Sequence, residues 1–341
     1  MKLSIVVICW NDLKVIPDCL SSIYAQTREI EFEVIVSDNG STDGSPQWIR
    51  THYPQVRVIE NGANLGFAKG NNVGIRAARG EYILILNPDT IIGEGALDKW
   101  VAFADHHPQA GAFGCRVLNP DGSYQDPARP FPTIGRYWMK ALGLGLLGYC
   151  SDRIAFQYRG WKGTTEREID WQSGCCVMFR GELLKRLGGF DERFFYHFEE
   201  VDLCKRVWAA GHSIVYCPHA VITHLGGQSV GRFPIRFALE KYRNRYRYFF
   251  KHFGMRGVRR CRIVSLADLY IRHWAYGALG CFRHDQALQN RLEMYRVAIR
   301  WNRALDPKRF IEQGVEPDVG FEPLAAAPDM LAPVTAQQHG F

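Results

Sequence analysis

Tyr82-Ile83-Leu84-Ile85-Leu86-Asn87-Pro88-Asp89 is an unbroken apolar run that ends in a polar turn. A strand buried on both faces needs apolar side chains on both, so a continuous rather than alternating run marks an interior strand of a parallel sheet. Open α/β sheets bind their ligands beyond the carboxyl ends of such strands. Asp89, just past that end, is therefore a candidate site residue, although Asn-Pro-Asp is also a good turn that needs no function.

Upstream, strand and helix signals alternate. Leu3 to Ile8 is a short β-branched run, and Asn11-Asp12 opens a helix in which Val15, Ile16, Leu20, Ile23 and Tyr24 recur at helical spacing. Phe32 to Val36 is a second strand that runs into the polar turn Ser37-Asp38-Asn39-Gly40-Ser41-Thr42-Asp43-Gly44-Ser45. A short helix from Gln47 to Arg50, a strand from Val56 to Ile59 and a helix from Asn71 to Ala78 lead back to Tyr82. This order predicts an α/β chain with a mostly parallel central sheet flanked by helices. Its strand-end loops share one edge, which brings Asp38 and Asp89 together, one suited to a nucleotide and the other to a metal. The turn around Asp38 has neither the Gly-Lys-Ser/Thr ending of a phosphate loop nor the Gly-x-Gly-x-x-Gly fingerprint, which disfavours a kinase, an ATPase or an NAD enzyme.

Ser4 to Asn11, the turn around Asp38, Asn61 to Ile75, Asn87-Pro88-Asp89, Gly189 to Phe195 and Phe198-Glu199-Glu200-Val201-Asp202-Leu203 follow in an order that resembles the inverting glycosyltransferases of family 2. Within that family the pattern is most similar to the rhamnosyltransferase-type subgroup, over roughly the first 250 residues. The resemblance implies a GT-A fold over residues 1–230, with a nucleotide-sugar half (1–90) and an acceptor and catalytic half (91–230). By the same resemblance Asp38 contacts the base, while Trp10, Asn11, Asn64, Gly66, Phe67, Ala68, Asn71, Asn87 and Asp89 belong to the nucleotide-sugar site. Asp89 would hold a divalent cation, Mn²⁺ or Mg²⁺, on the diphosphate. The family's usual Asp-x-Asp stands here as Asn87-Pro88-Asp89, and the loss of one carboxylate suits a cation that keeps several waters and takes oxygens from the substrate phosphates. His224 matches a metal- or diphosphate-binding position of related enzymes; imidazole favours Mn²⁺, and cellular abundance favours Mg²⁺.

An inverting transfer needs a base for the acceptor hydroxyl. Glu200 stands at the family's catalytic position, and its like-charged neighbours Glu199 and Asp202 are expected to raise its proton affinity. The bland alternative is a charged helix start, since acids favour the first turn; Asp202 and Arg206, four apart, read as a structural pair. On the acceptor side the resemblance implies Trp171, Gly174, Asp191 and Glu199. A core tryptophan is the alternative for Trp171, and a turn cap for Asp191.

With 341 residues, 47% of them hydrophobic, the chain is long enough for a full core and an appended module. Its ten cysteines include no Cys-x-x-Cys pair, and Cys9, Cys204 and Cys217 fall in apparent core elements; with no signal peptide or zinc spacing, a cytoplasmic protein is expected. Ala141 to Cys150, too short to span a bilayer, reads as a loop near the acceptor site.

Nineteen of the 42 Lys and Arg, but only 5 of the 35 Asp and Glu, fall between Gly231 and Phe310. Residues 231–313 therefore read as a basic helical C-terminal extension, followed over 314–341 by an extended or disordered tail. In its first helix Ile235, Leu239, Tyr242, Tyr246, Phe249 and Phe253 make one apolar face, with Arg236, Arg243, Arg247 and Lys251 off it. The apolar face is expected to dock on the catalytic domain. The basic face would either be solvated or meet anionic lipid on the cytoplasmic side of the inner membrane. No nucleic-acid module accompanies it, so nucleic acid is not an expected partner. The activity expected from the resemblance is transfer of a sugar to a saccharide or polyprenyl-linked saccharide in cell-surface polysaccharide synthesis. The donor is L-rhamnose from dTDP-rhamnose or, alternatively, a UDP-hexose. A sugar-nucleotide pyrophosphorylase would need a Gly-rich triphosphate loop that Leu3 to Lys14 lacks, and a non-catalytic carbohydrate-binding protein would have no use for Asp89, Glu200 and His224.

Overall fold

The structure, a computed structural model, describes residues 1–144, 157, 158, 160–226, 234–280 and 286–320. Its first half runs β1 (Leu3–Cys9), α1 (Ile16–Gln26), β2 (Phe32–Asp38), α2 (Ser45–His52), β3 (Arg57–Glu60), α3 (Gly66–Ala77), β4 (Tyr82–Leu86), β5 (Thr90–Ile92), α4 (Ala96–Asp105) and β6 (Ala110–Leu118). Then come β7 (Ala128–Arg129), α5 (Ile134–Ala141), β8 (Arg167–Glu168), β9 (Trp171–Gln172), β10 (Cys176–Arg180), α6 (Gly181–Arg186), α7 (Glu199–Ala209) and β11 (Ser213–His224). The chain continues through α8 (Pro234–Gly280), α9 (Gln286–Ala304) and α10 (Pro307–Gln313).

The main sheet has the order β3-β2-β1-β4-β10-β6-β11-β5, with β8 joined to β11. Strands β1 to β4 are mutually parallel, as the alternating order requires, and β10 then enters antiparallel with Cys176 opposite Leu86. Tyr82, Leu84 and Leu86 pack into the core on one face of the sheet and Ile83 and Ile85 into the core on the other, which is why β4 carries no polar residue. After the Asn87-Pro88-Asp89 turn the chain folds back as β5, pairing His224 with Thr90 at the end of β11. Strand β11 reaches that edge through a register shift between Cys217 and Val221, where Pro218 cannot donate to a ladder.

Helix α3 begins at Gly66, five residues earlier than expected. Gly66, Gly70 and Gly74 weaken its helical signal, but they let it lie against the sheet: a Cβ at Gly74 would stand 2.4 Å from Val6 Cγ1.

Helix α8 breaks at Gly254, whose φ is 63°. Arg245 donates to Ser265 Oγ at 3.1 Å, whereas twenty residues of unbroken helix would span about 30 Å, so the second limb doubles back on the first. The apolar stripe docks except at its end, where Phe253 is 46% exposed: Leu239, Tyr246 and Phe249 share one core with Phe194, Phe198 and Val201 of the catalytic part and with Trp301 of α9. Three of the four cations read on the basic face, Arg243, Arg247 and Lys251, are a correction. Arg243 is buried between Glu240 (3.4 Å) and Glu316 (2.6 Å), Arg247 lies 3.6 Å from Glu240, and Lys251 bridges Asp191 (2.7 Å) and Asp202 (2.9 Å). These three cations are held by carboxylates of the protein and are not free for lipid. Within the stretch expected to be an extended or disordered tail, Glu316 is anchored by Arg243 and Trp301. Residues 321–341, and 145–150 of the stretch read as an acceptor loop, lie outside the described residues.

Candidate active site

Asp38 closes β2, and its Oδ2 accepts from the backbone N–H groups of Gly40 (3.0 Å) and Ser41 (2.9 Å). Its Oδ1 is buried without a hydrogen-bond partner. A buried carboxylate oxygen with no donor is unfavourable, and the ring N–H of a nucleotide base is the kind of group that would satisfy it. Asn11, with φ 56°, steadies the same turn by accepting from Thr42 N at 2.8 Å. Trp10 packs with Phe195, Tyr196 and Phe237. Asn64 Oδ1 accepts from Gly66 N at 2.9 Å, and Phe67 N donates to Phe195 O at 2.9 Å, which docks the start of α3 on the segment leading to α7. Asn71 donates to Phe67 O, and its buried Oδ1 has no partner. Ala68 is a correction: it faces the sheet in the apolar core, with no accessible surface to line a pocket.

At the neighbouring strand end, His224 Nε2 stands 3.2 Å from Asp89 Oδ1. Gln125 fixes the ring. Its amide nitrogen donates to Asn119 Oδ1 (2.8 Å) and His224 O (3.2 Å), so its oxygen faces His224 Nδ1 at 2.7 Å and must accept from it. In the neutral ring Nε2 therefore carries a lone pair toward Asp89, whose Oδ1 is buried and accepts no hydrogen bond. Two lone-pair groups converging in this way fit a divalent cation, and a hydrogen bond at the far ring nitrogen is how metal-bound histidines are oriented. Asn87 Oδ1, also buried and unpartnered, belongs to the same turn. Among the described residues no group of three or more His, Cys, Asp or Glu converges, so substrate oxygens would have to complete the coordination.

Glu199 and Glu200 open α7 directly after His197 (φ 72°) and Phe198 (φ 74°), two consecutive left-handed residues that aim the helix start. Glu199 is buried and Glu200 half-buried, each with a buried Oε2 that has no partner. Burial raises the proton affinity of Glu200, while the N–H groups at the helix start and the cations Arg129 and Lys241 pull it back. Burial, and then the charge of Glu200, push Glu199 well above the ordinary range. Asp202 is not among the main causes that shift Glu200. Burial alone would raise Asp202 too, but His252, Arg206 and Lys251 outweigh it and hold the carboxyl low. Glu200, with Trp171 and Ser173, lines a cavity of about 1030 Å³.

Residues 4–188 match the family described as Glycosyl transferase family 2. The chain belongs to glycosyltransferase family 2. It is 32% identical over 290 residues to the N-acetylglucosaminyl-diphospho-decaprenol L-rhamnosyltransferase of Mycobacterium tuberculosis, an alignment covering 79% of this chain and 85% of that one. It is 27% identical over 201 residues to the rhamnosyltransferase WbbL of Escherichia coli, covering 56% of this chain and 72% of that one. The mannosyltransferase PcManGT of Pyrobaculum calidifontis, solved in complex with GDP-Man and Mn²⁺, has a TM-score of 0.52 at 17% identity, covering 89% of this chain and 84% of that one. That likeness is one of fold, and the fold is GT-A.

In this glycosyltransferase the residues expected on the acceptor side separate. Trp171 lines the cavity, its Nε1 donating to Pro130 O at 3.0 Å. Gly174 lies between Phe67 and Glu200: a Cβ there would stand 3.2 Å from Phe67 Cζ and 3.7 Å from Glu200 Cβ. Asp191 does not line the cavity; it accepts from Arg193 and Lys251, which hold it far below the ordinary carboxylate range despite its partial burial. Gln125, Arg129 and Lys241 carry no local motif. Only their convergence on Asp89, His224 and Glu200 in space marks them.

Proposed function

We propose that this glycosyltransferase moves L-rhamnose from dTDP-rhamnose, with inversion, to a saccharide on a polyprenyl diphosphate carrier in cell-surface polysaccharide assembly. The observation that carries the chemistry is the set of buried, unpartnered oxygens on Asp38 and Asp89, at the ends of β2 and β4, and on Glu200 at the start of α7. The choice of sugar and carrier is supported by similarity to a relative whose name states both.

Asp38 accepts the N–H of the base, and Asn64 and Asn39 order the loop that closes over the nucleotide. Asp89 and His224 would hold a divalent cation, Mn²⁺ or Mg²⁺, whose charge offsets that building on the departing diphosphate. Glu200 takes the proton of the acceptor hydroxyl as that oxygen attacks the anomeric carbon from the face opposite the leaving group. Action at a membrane surface follows from such an acceptor, and among the described residues no helix is long and apolar enough to cross one.

Thermal-shift titration with dTDP, UDP, GDP and CDP, each with and without Mn²⁺, tests the donor. A metal-dependent rise with dTDP above the others is expected. A preference for UDP would replace the rhamnosyl donor with a UDP-hexose, and no shift with any nucleotide would contradict the transferase site as drawn.

A further inference from the structure

The cavity beside Glu200 is lined by Arg129, Arg136, Lys140, Lys241, Arg245 and Arg272, against the acids Asp126 and Glu200. So many like charges in one enclosure repel, and an anion of matching charge relieves them. Lys241 shows the strain: crowding by the protein and by Arg245, Lys140 and Arg129 lowers its ammonium to about 8, and it makes no hydrogen bond or ion pair to a described residue. Arg245 is 6% exposed, and it donates to Ser265 and stacks on Tyr137 and Tyr242. Its Nε nonetheless has no hydrogen-bond partner, and no carboxylate of a described residue pairs with the guanidinium. A buried guanidinium with an unspent donor is suited to a phosphate oxygen.

The cavity is amphipathic. Leu142, Ile271 and Leu279 line it yet are 55%, 42% and 52% exposed, forming an apolar lip. Glu200 stands inside, the cations lie around it, and the lip opens outward.

We infer that this cavity is the binding site of the acceptor's lipid diphosphate, with Lys241, Arg245 and Arg129 on the phosphates and the first isoprene units over Leu142, Ile271 and Leu279. The inference rests on the proposed carrier-linked acceptor and gives it a site separate from the metal-dependent donor diphosphate at Asp89.

The test is isothermal titration of the full chain with farnesyl diphosphate, inorganic pyrophosphate and farnesol, in chelator to silence the donor side. Farnesyl diphosphate is expected to bind at least about tenfold more tightly than either part alone. Lys241→Gln and Arg129→Gln, both at accessible side chains, are each expected to weaken it about tenfold. Unchanged affinity in both variants would overturn the site. Pyrophosphate binding as tightly as farnesyl diphosphate would overturn the lipid. An equal loss of dTDP affinity in the variants would assign the cations to the donor instead. Binding through Lys241 without any sugar transfer would sink the proposed function and keep the site, whereas transfer to a carrier-linked saccharide indifferent to Lys241 would do the reverse.

Discussion

Nε2 of His224 and Oδ1 of Asp89 face each other at 3.2 Å across the end of the sheet, and Gln125 on the far side of the ring accepts from Nδ1 at 2.7 Å. The pair is built by the β5 and β11 pairing, which sets His224 opposite Thr90, and by Leu225 N donating to Asp89 O at 2.9 Å. If this is the cation site, His224→Ala removes the Mn²⁺-dependent part of the dTDP thermal shift and leaves the unliganded midpoint nearly unchanged. Gln125→Leu, which frees the tautomer without touching the cation, weakens Mn²⁺ about 10–100-fold. Equal Mn²⁺ dependence in all three proteins would refute the assignment.

Glu200→Gln keeps the shape of the side chain and removes the proposed base. Transfer is expected to fall about 10²–10⁴-fold with dTDP affinity retained. Because burial raises Glu200, the acid limb of kcat/KM in the unmodified enzyme lies above 4.5, the ordinary value, with activity rising as the carboxyl loses its proton. A limb at or below that value would contradict a buried base.

Glu199 makes a stability prediction of definite sign. Its folded-state pKa is raised, so the native chain holds the proton where the unfolded chain releases it, and stability falls as pH climbs from 4.5 toward the folded value. Glu199→Gln, neutral at every pH, should therefore melt higher than the unmodified protein at neutral pH. The difference should close below 4.5, and a variant that melts lower at neutral pH would show that the charge is compensated.

Asp202, fully buried, accepts from Arg206 (2.8 Å) and Lys251 (2.9 Å) and lies 2.8 Å from His252 Nε2, which pins α8 to α7. Asp202→Ala takes the shared carboxylate from Arg206, Lys251 and His252, leaving Lys251 only Asp191, and is expected to cost about 3–5 kcal/mol in urea unfolding. A loss under 1 kcal/mol, the range of exposed pairs, would mean that the network is dispensable.

Local pattern carried much of this molecule. The apolar run of β4 and the acids at the ends of β2, β4 and the start of α7 were legible because strand burial, turn chemistry and helix entry are written in neighbouring residues. What was missed depends on distance along the chain. Arg243 looked like a free surface charge because one of its partners, Glu316, comes 73 residues later, and Lys251 likewise because Asp191 and Asp202 lie 60 and 49 residues before it. Gln125 meets His224 across 99 residues, and no spacing rule connects them. Helix α3 was shortened for a different reason: glycines that lower helical propensity are the ones that let it approach β1.

The most direct measurement is NMR of the product formed from dTDP-rhamnose and a short-chain prenyl-diphosphate-linked saccharide with Mn²⁺. The account predicts a new glycosidic bond with the anomeric configuration opposite to that of the donor, and none from Glu200→Gln. A product with retained configuration, or the same product from Glu200→Gln at an undiminished rate, would contradict it.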